Sequence, residues 1–387
     1  GHRRLVQQLT LTDMAFGEVG DIGRLLHRSK VLLGKDWSLW NWAIIDEIVS
    51  GPLRNPSAFL EIMKTKFLKR LLGFYRISGT GQFISLQWKP DYVPFTNIVS
   101  TLLSVLLQSQ QGVQLLRNDR RGKIHTQIVH YLKTELEQPD TKSALHNDST
   151  SGAASRNTVL VSGGIGTVGE RILTPQACMN TMATDVFVMM GVYTSFPNGL
   201  ELMTELDLFQ VLTELSMRPD KDYITRLVLT HLDYANSNSC RDWFHSTVIN
   251  ENVSVEVRLF SLSLLRSITR CQYAQENAKV IAWVLECIVM VLAADEKRME
   301  SAALSLLFES AHYPCYLEEL ISVYRLEPFI KNGKLLGNPL LRLLLVKYLE
   351  SSAGVELLQH EGWIQDALDP DNGWAFPDIF EYTLKGE

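Results

Sequence analysis

Apolar side chains recur along most of this chain at spacings of three and four, the pattern of helices that each bury one face. Over residues 55–75 the positions Leu60, Met63, Phe67, Leu71 and Phe74 form one such stripe. Asn55-Pro56 ahead of it supplies a capping side chain and a proline at the first helical position. Further helices are predicted at about 95–110 and 122–137. After Pro175 the pattern hardly stops, predicting helices over about 176–195, 198–217, 220–233, 236–249, 253–270, 275–293, 298–311, 314–327, 338–351 and 353–368. Two stretches interrupt it. Residues 79–94 read as an extended connector. Residues 138–172 read as a flexible linker rich in Gly, Ser and Asn, with too few large apolar side chains to offset the entropy of ordering.

One local grammar recurs three times: an apolar helical run, a small or polar break, Gly, then more apolar positions. The glycines are Gly112, Gly199 and Gly354. A glycine in the left-handed conformation commonly ends a helix, so each unit is expected to be helix, tight corner, helix. The expected fold is all-α, an armadillo- or HEAT-like α-solenoid of stacked helix pairs. The expected organisation is a helical region over 1–137 with a tryptophan cluster and a basic helix, the linker over 138–172, and helical repeats over 173–387.

Composition narrows the function classes. A formal charge of −6 and a pI near 5.9 argue against a general nucleic-acid partner, which calls for a basic footprint. Cys178, Cys240, Cys271, Cys287 and Cys315 are odd in number and widely spaced, without metal-ligand spacing, which points to a reducing, intracellular compartment. No apolar run approaches the roughly 20 residues of a membrane span, so no transmembrane segment is expected.

Three features could carry chemistry. Gly164, Gly166 and Gly169 fit GxGxxG after a short apolar run, with Asp185 about 20 residues on. No strand–helix alternation follows, and Asp185 is placed mid-helix in the run 182–193, so the motif reads as a continuation of the linker. On the 55–75 helix, Lys66, Lys69, Arg70 and Gly73 share a face away from the apolar stripe. Three cations around a position without a side chain suit phosphate groups, and Lys35 joins them if its segment packs alongside. The competing reading is a solvated helix face. The group Trp37, Trp40 and Trp42 reads as core that anchors a helix start, with a partner hot spot as the alternative. His312 near Cys315 and the turn 369–374 carry no defensible catalytic or metal pattern.

The ordered set of blocks Trp40-Asn41-Trp42, Lys69-Arg70-Leu71-Leu72-Gly73-Phe74-Tyr75, Phe196-Pro197-Asn198-Gly199-Leu200, Leu227 to Tyr234, and Ser352-Ala353-Gly354-Val355-Glu356 with Gly362-Trp363-Ile364 resembles the Rictor family, its fungal members included. The resemblance implies a central part of a non-catalytic scaffold subunit of TOR complex 2. It implies as partners the TOR kinase, a Sin1-like subunit, an Lst8-like subunit within the complex, and AGC-family kinase substrates. It implies a cytoplasmic protein recruited to the plasma membrane with the complex. No cofactor is required; a structural ATP or inositol polyphosphate is implied at Lys35, Lys66, Lys69 and Arg70. Gly73 stands where family members can carry an aromatic, which removes the base-stacking half of such a site. The rivals are an unrelated solenoid adaptor in trafficking or transport, and a dinucleotide-dependent enzyme built on residues 158–185.

Overall fold

Helix starts in this chain are written by side chains that accept from the first free backbone N–H groups. Asn41, Asn55, Thr174, Ser254, Asn277, Asn338 and Ser351 each cap the helix that follows, and proline occupies the first turn after Asn55, Thr174 and Asn338. A computed structural model describes residues 21–77, 82–118, 123–137, 172–236, 238–294, 296–325 and 338–361. The GxGxxG motif, residues 138–171, the block at Gly362 and the turn 369–374 lie outside the described residues.

Two compact units divide between Trp243 and Phe244. The first holds α1 (21–28), α2 (Trp42–Ser50), α3 (Pro56–Met63), α4 (Phe67–Phe74), α5 (Val93–Gln108), α6 (Gln110–Asn118), α7 (Ile124–Glu137), α8 (Pro175–Asn180), α9 (Asp185–Ser195), α10 (Pro197–Thr204), α11 (Leu208–Ser216) and α12 (Asp222–His231). The boundary falls inside α13 (Asn238–Ile249). The second unit continues with α14 (Val255–Thr269), α15 (Gln272–Gln275), α16 (Ala278–Ala293), α17 (Lys297–Ser310), α18 (Pro314–Glu319), α19 (Pro339–Tyr348) and α20 (Ser352–His360). Both units are all-α. Within the first, α5 packs on α2, α6 and α9, and α9 on α10 and α12; within the second, α17 packs on α14, α16 and α19. This helix-on-helix stacking fits the expected solenoid class. Helices on both sides of residues 138–171 share the first unit, since α9 packs on α5 and α11 on α7, so the compact division lies elsewhere than at 138–172.

The three glycine corners correct one expectation. None of Gly112, Gly199 and Gly354 ends a helix in a left-handed conformation; each is the third residue of the next helix. The corner itself is one extended residue, Ser109, Phe196 or Ser351, with ψ of 141°, 138° and 143°. A β-carbon on each glycine would lie inside van der Waals contact of the carbonyl oxygen six residues back, that of Leu106, Tyr193 or Tyr348. Close approach of two backbones, rather than positive φ, requires glycine there. Ser109 and Ser351 accept from the glycine N–H at 3.0 and 2.9 Å. Asn198 donates to the Leu107 carbonyl at 2.8 Å, tying the second corner to the first.

Two predicted helices are broken by local side-chain bonds. The 55–75 helix stops at Met63 and restarts at Phe67, because Thr65 Oγ1 donates to the Ile62 carbonyl and accepts from Phe67 N–H. The register therefore shifts: Phe59 and Ile62 are buried, whereas Leu60 is 48% exposed. Thr181 likewise interrupts 176–195, so Asp185 opens α9 instead of lying mid-helix.

Candidate functional site

The tryptophan cluster and the basic helix are two sides of one construction. Phe74, the last residue of α4, has its ring centroid 5.5 Å from Trp37, 5.0 Å from Trp42 and 5.7 Å from Phe83. Trp42 lies 4.2 Å from Phe95, and Tyr92 stacks on Phe95 at 5.2 Å. Such tilted and edge-on rings are worth about 0.5–1.5 kcal/mol per pair beyond burial. Indole N–H groups are satisfied within the nest: Trp40 donates to the Gly34 carbonyl and Trp42 to the Trp37 carbonyl. Tyr75 donates to the Phe95 carbonyl at 2.8 Å, and burial, followed by the charges of Asp185 and Asp46, holds its phenol protonated. Trp40 is buried and Trp37 and Trp42 are half-buried, all three packed into the nest as the core reading expects.

On the outer side of α4, Lys66 and Lys69 are exposed, with Lys66 at the N-cap position. Arg70 turns the other way. Its guanidinium donates to the Val31 carbonyl at 2.6 Å and to the Gly34 carbonyl at 3.4 Å. This clamp holds the 31–34 loop against α4 and sets exposed Lys35, the next residue, at the edge of the same region. Gly73 faces open space, with nothing within 4 Å of where a β-carbon would stand. Asp36, beside Lys35, is occupied in capping the 3₁₀ turn Trp37–Leu39; the Ser38 hydroxyl and N–H hold its carboxyl below the usual range. Over residues 21–77 ten Lys and Arg face five Asp and Glu, in a chain whose net charge is −6.

The remaining sequence candidates are structural. Asp185 accepts from Thr96 at 2.6 Å between α9 and α5, and burial raises its carboxyl above the ordinary value. The His312 ring pairs with the Phe308 carbonyl of the preceding helix α17, and burial pushes the Cys315 thiol up, the opposite of what a nucleophile needs. All five cysteines are free thiols. Among the described residues no group of three His, Cys, Asp or Glu is placed to hold a metal ion, and no helix is long and apolar enough to cross a membrane.

Sequence reasoning missed the ion pairs made inside each unit. Lys221 and Glu135 meet at 2.7 Å with each side chain 3% exposed. Arg218 beside them donates to the Leu136 carbonyl, and Arg241 to the Tyr234 and Ala235 carbonyls. In the second unit, buried Arg258 pairs with Glu296 at 2.6 Å and donates to the Val248 carbonyl. No local motif marks these residues, because the partners named lie between 6 and 86 positions away along the chain.

Comparison with known proteins finds one consistent likeness. The family described as "Rapamycin-insensitive companion of mTOR, middle domain" matches residues 165–269. Protein pianissimo A of Dictyostelium discoideum is 29% identical over 341 residues, covering 87% of this chain and 27% of the relative. The chain is similar to Rictor-family proteins along most of its length. The target of rapamycin complex 2 subunit ste20 of Schizosaccharomyces pombe is 24% identical over 348 residues, covering 89% of this chain and 23% of that protein. The human rapamycin-insensitive companion of mTOR is 23% identical over 350 residues, 89% of this chain and 17% of the relative. These identities do not set a fungal relative apart from the others. The chain thus spans about a quarter or less of the length of those relatives. The matched interval 165–269 contains the Gly199 corner and lies wholly after Lys35, Lys66, Lys69 and Arg70.

Proposed function

We propose that this chain is a helical scaffold portion of a TOR complex 2 subunit. It carries out no chemistry of its own and serves to bind the TOR kinase and a Sin1-like partner, with an Lst8-like subunit in the same assembly and AGC-family kinases as the substrates presented. Its setting is the cytoplasm, with recruitment to the plasma membrane as part of the complex. The observation that carries this reading is similarity over nearly nine-tenths of the chain to a relative that is itself named as a complex 2 subunit. Stacked helices also suit the role, because each corner adds another stretch of side chains to a long binding face. Affinity purification of the full-length protein, read by mass spectrometry, tests it. TOR kinase and a Sin1-like protein are expected in stoichiometric yield; recovery of trafficking or transport components in their place would support the unrelated-adaptor reading.

A second reading concerns Lys35, Lys66, Lys69 and Arg70. We propose that this face takes a polyphosphate, ATP or an inositol polyphosphate, as a structural ligand. The Arg70 clamp favours it, because it fixes the loop bearing Lys35 against the helix bearing Lys66 and Lys69, beside open space over Gly73. Without an aromatic at Gly73, the phosphates rather than a base would supply the affinity. ATP and inositol hexakisphosphate should each raise the melting temperature of the full chain, and Lys66→Ala/Lys69→Ala should abolish the shift. A shift that survives the double substitution places the ligand elsewhere.

A further inference from the structure

The connector between α4 and α5 carries the one β-bridge of the described residues, Gln87 opposite Thr181. Its two hydrogen bonds come from the flanking residues: Trp88 N–H donates to the Asn180 carbonyl and Met182 N–H to the Leu86 carbonyl, both at 2.9 Å. In that arrangement the N–H and C=O of Gln87 itself point away from the 180–182 segment. Among the described residues neither group has a partner. Lys89 is also extended, with φ −144° and ψ 145°, so its N–H falls on the same outward edge as the Gln87 pair. Residues 87–90 are all exposed. Trp88, between the two open positions, is 52% exposed, and Met179, next to the Trp88 cross-strand neighbour Asn180, is 74% exposed.

An unpaired strand edge is a template for another strand, and an exposed tryptophan beside it is the side chain most enriched at interface hot spots. We infer that residues 86–89 are a docking edge for an extended segment of another protein chain, added as a strand. Main-chain bonds to Gln87 and Lys89 would set its register. An apolar side chain would cover Trp88, and a carboxylate would meet the Lys89 ammonium. The inference rests on the scaffold reading above and names, within it, the place where a second subunit of the complex is held.

Hydrogen exchange at single-residue resolution tests this, comparing the isolated full-length protein with purified TOR complex 2. The Gln87 and Lys89 amides should exchange freely in the first and at least about tenfold more slowly in the second. Gln87→Pro removes the open donor, and the extended Leu86 before it (ψ 134°) is already in the conformation that precedes proline. Both Gln87→Pro and Trp88→Ala should leave the melting temperature of the isolated chain unchanged and weaken recovery of the partner subunit by about tenfold or more. Unprotected amides in an otherwise intact complex would overturn the docking edge alone. Protection already present in the isolated protein would assign the edge to this chain's own residues and overturn it too. Failure to recover TOR kinase at all would remove the scaffold reading and the inference together.

Discussion

Helices α4 and α14 carry the same sequence signal, cations at helical spacing, and put it to opposite use. In α14 the cations are consumed by α17. Arg258 meets Glu296, the residue before that helix, while Arg266 and Arg270, the latter just past α14, share Glu309 at 3.0 and 3.1 Å. In α4 only Arg70 turns inward, and it meets carbonyl oxygens instead of a carboxylate. Among the described residues Lys35 and Lys66 make no ion pair. The aromatic nest explains the difference. Rings from Trp37, Trp42, Phe83 and Phe95 fasten α4 without any charge, so its packing does not call for an ion pair such as those of α14.

The comparison breaks first at Phe74. Phe74→Ala should destabilise the protein by about 3–5 kcal/mol, the usual cost of emptying an aromatic core position, read as a fall in denaturant midpoint. A cost below about 1 kcal/mol would mean that α4 is held by its cations after all. Arg258→Met should come next. It leaves Glu296 without its partner and the Val248 carbonyl without its donor, for about 2–4 kcal/mol, discounted because Glu296 remains about one-third exposed. Arg70→Met strands the Val31 carbonyl and no charge, since the Gly34 carbonyl keeps its bond from Trp40, so about 1–2 kcal/mol is expected. Equal losses at the two arginines would erase the distinction between an ion-pair seam and a backbone clamp.

His125 tests how far burial alone keeps a charge out of the first unit. It is buried on α7 against Tyr193, and burial, with Lys123 and Arg117 adding to it, lowers its pKa from 6.5 to about 4. The unfolded chain therefore binds a proton between pH 6.5 and 4 that the folded chain refuses. Stability from this group is complete above about pH 6.5 and falls as the pH drops towards 4, by roughly 2–3 kcal/mol in all. His125→Leu should flatten that slope in denaturation curves taken from pH 7 to 4.5. An unchanged slope would assign the acid sensitivity to other groups.

Periodicity made most helices readable, because burying one face of a helix demands it. It failed where a single side chain outbid the pattern: Thr65 splits one predicted helix and Thr181 another, each through bonds to backbone groups within four residues. The residue types of the basic face were legible, and the inward turn of Arg70 was not, since its acceptors Val31 and Gly34 lie 39 and 36 positions away. The Glu296 and Glu309 partners of α14 were hidden for the same reason. Only the fold brings such pairs together, so a run of cations in a sequence fixes a charge and leaves its use open.

Glycine sharpens the same point at the smallest scale, because one substitution should have opposite signs at two positions. At Gly199 a β-carbon would collide with the Tyr193 carbonyl, backbone that cannot turn aside, and the neighbouring Asn198 bond to Leu107 leaves the corner little room to open. Gly199→Ala should therefore destabilise by about 1–3 kcal/mol, as overpacking does. At Gly73 the same methyl meets nothing, and the residue already lies in helical backbone within α4. Gly73→Ala should stabilise by up to about 0.5–1 kcal/mol, through better helix propensity and a less mobile unfolded chain. Paired denaturation curves read both. A loss at Gly73 would mean that its open face is filled in solution, and repeating the measurement with inositol hexakisphosphate would then show whether the ligand is what fills it.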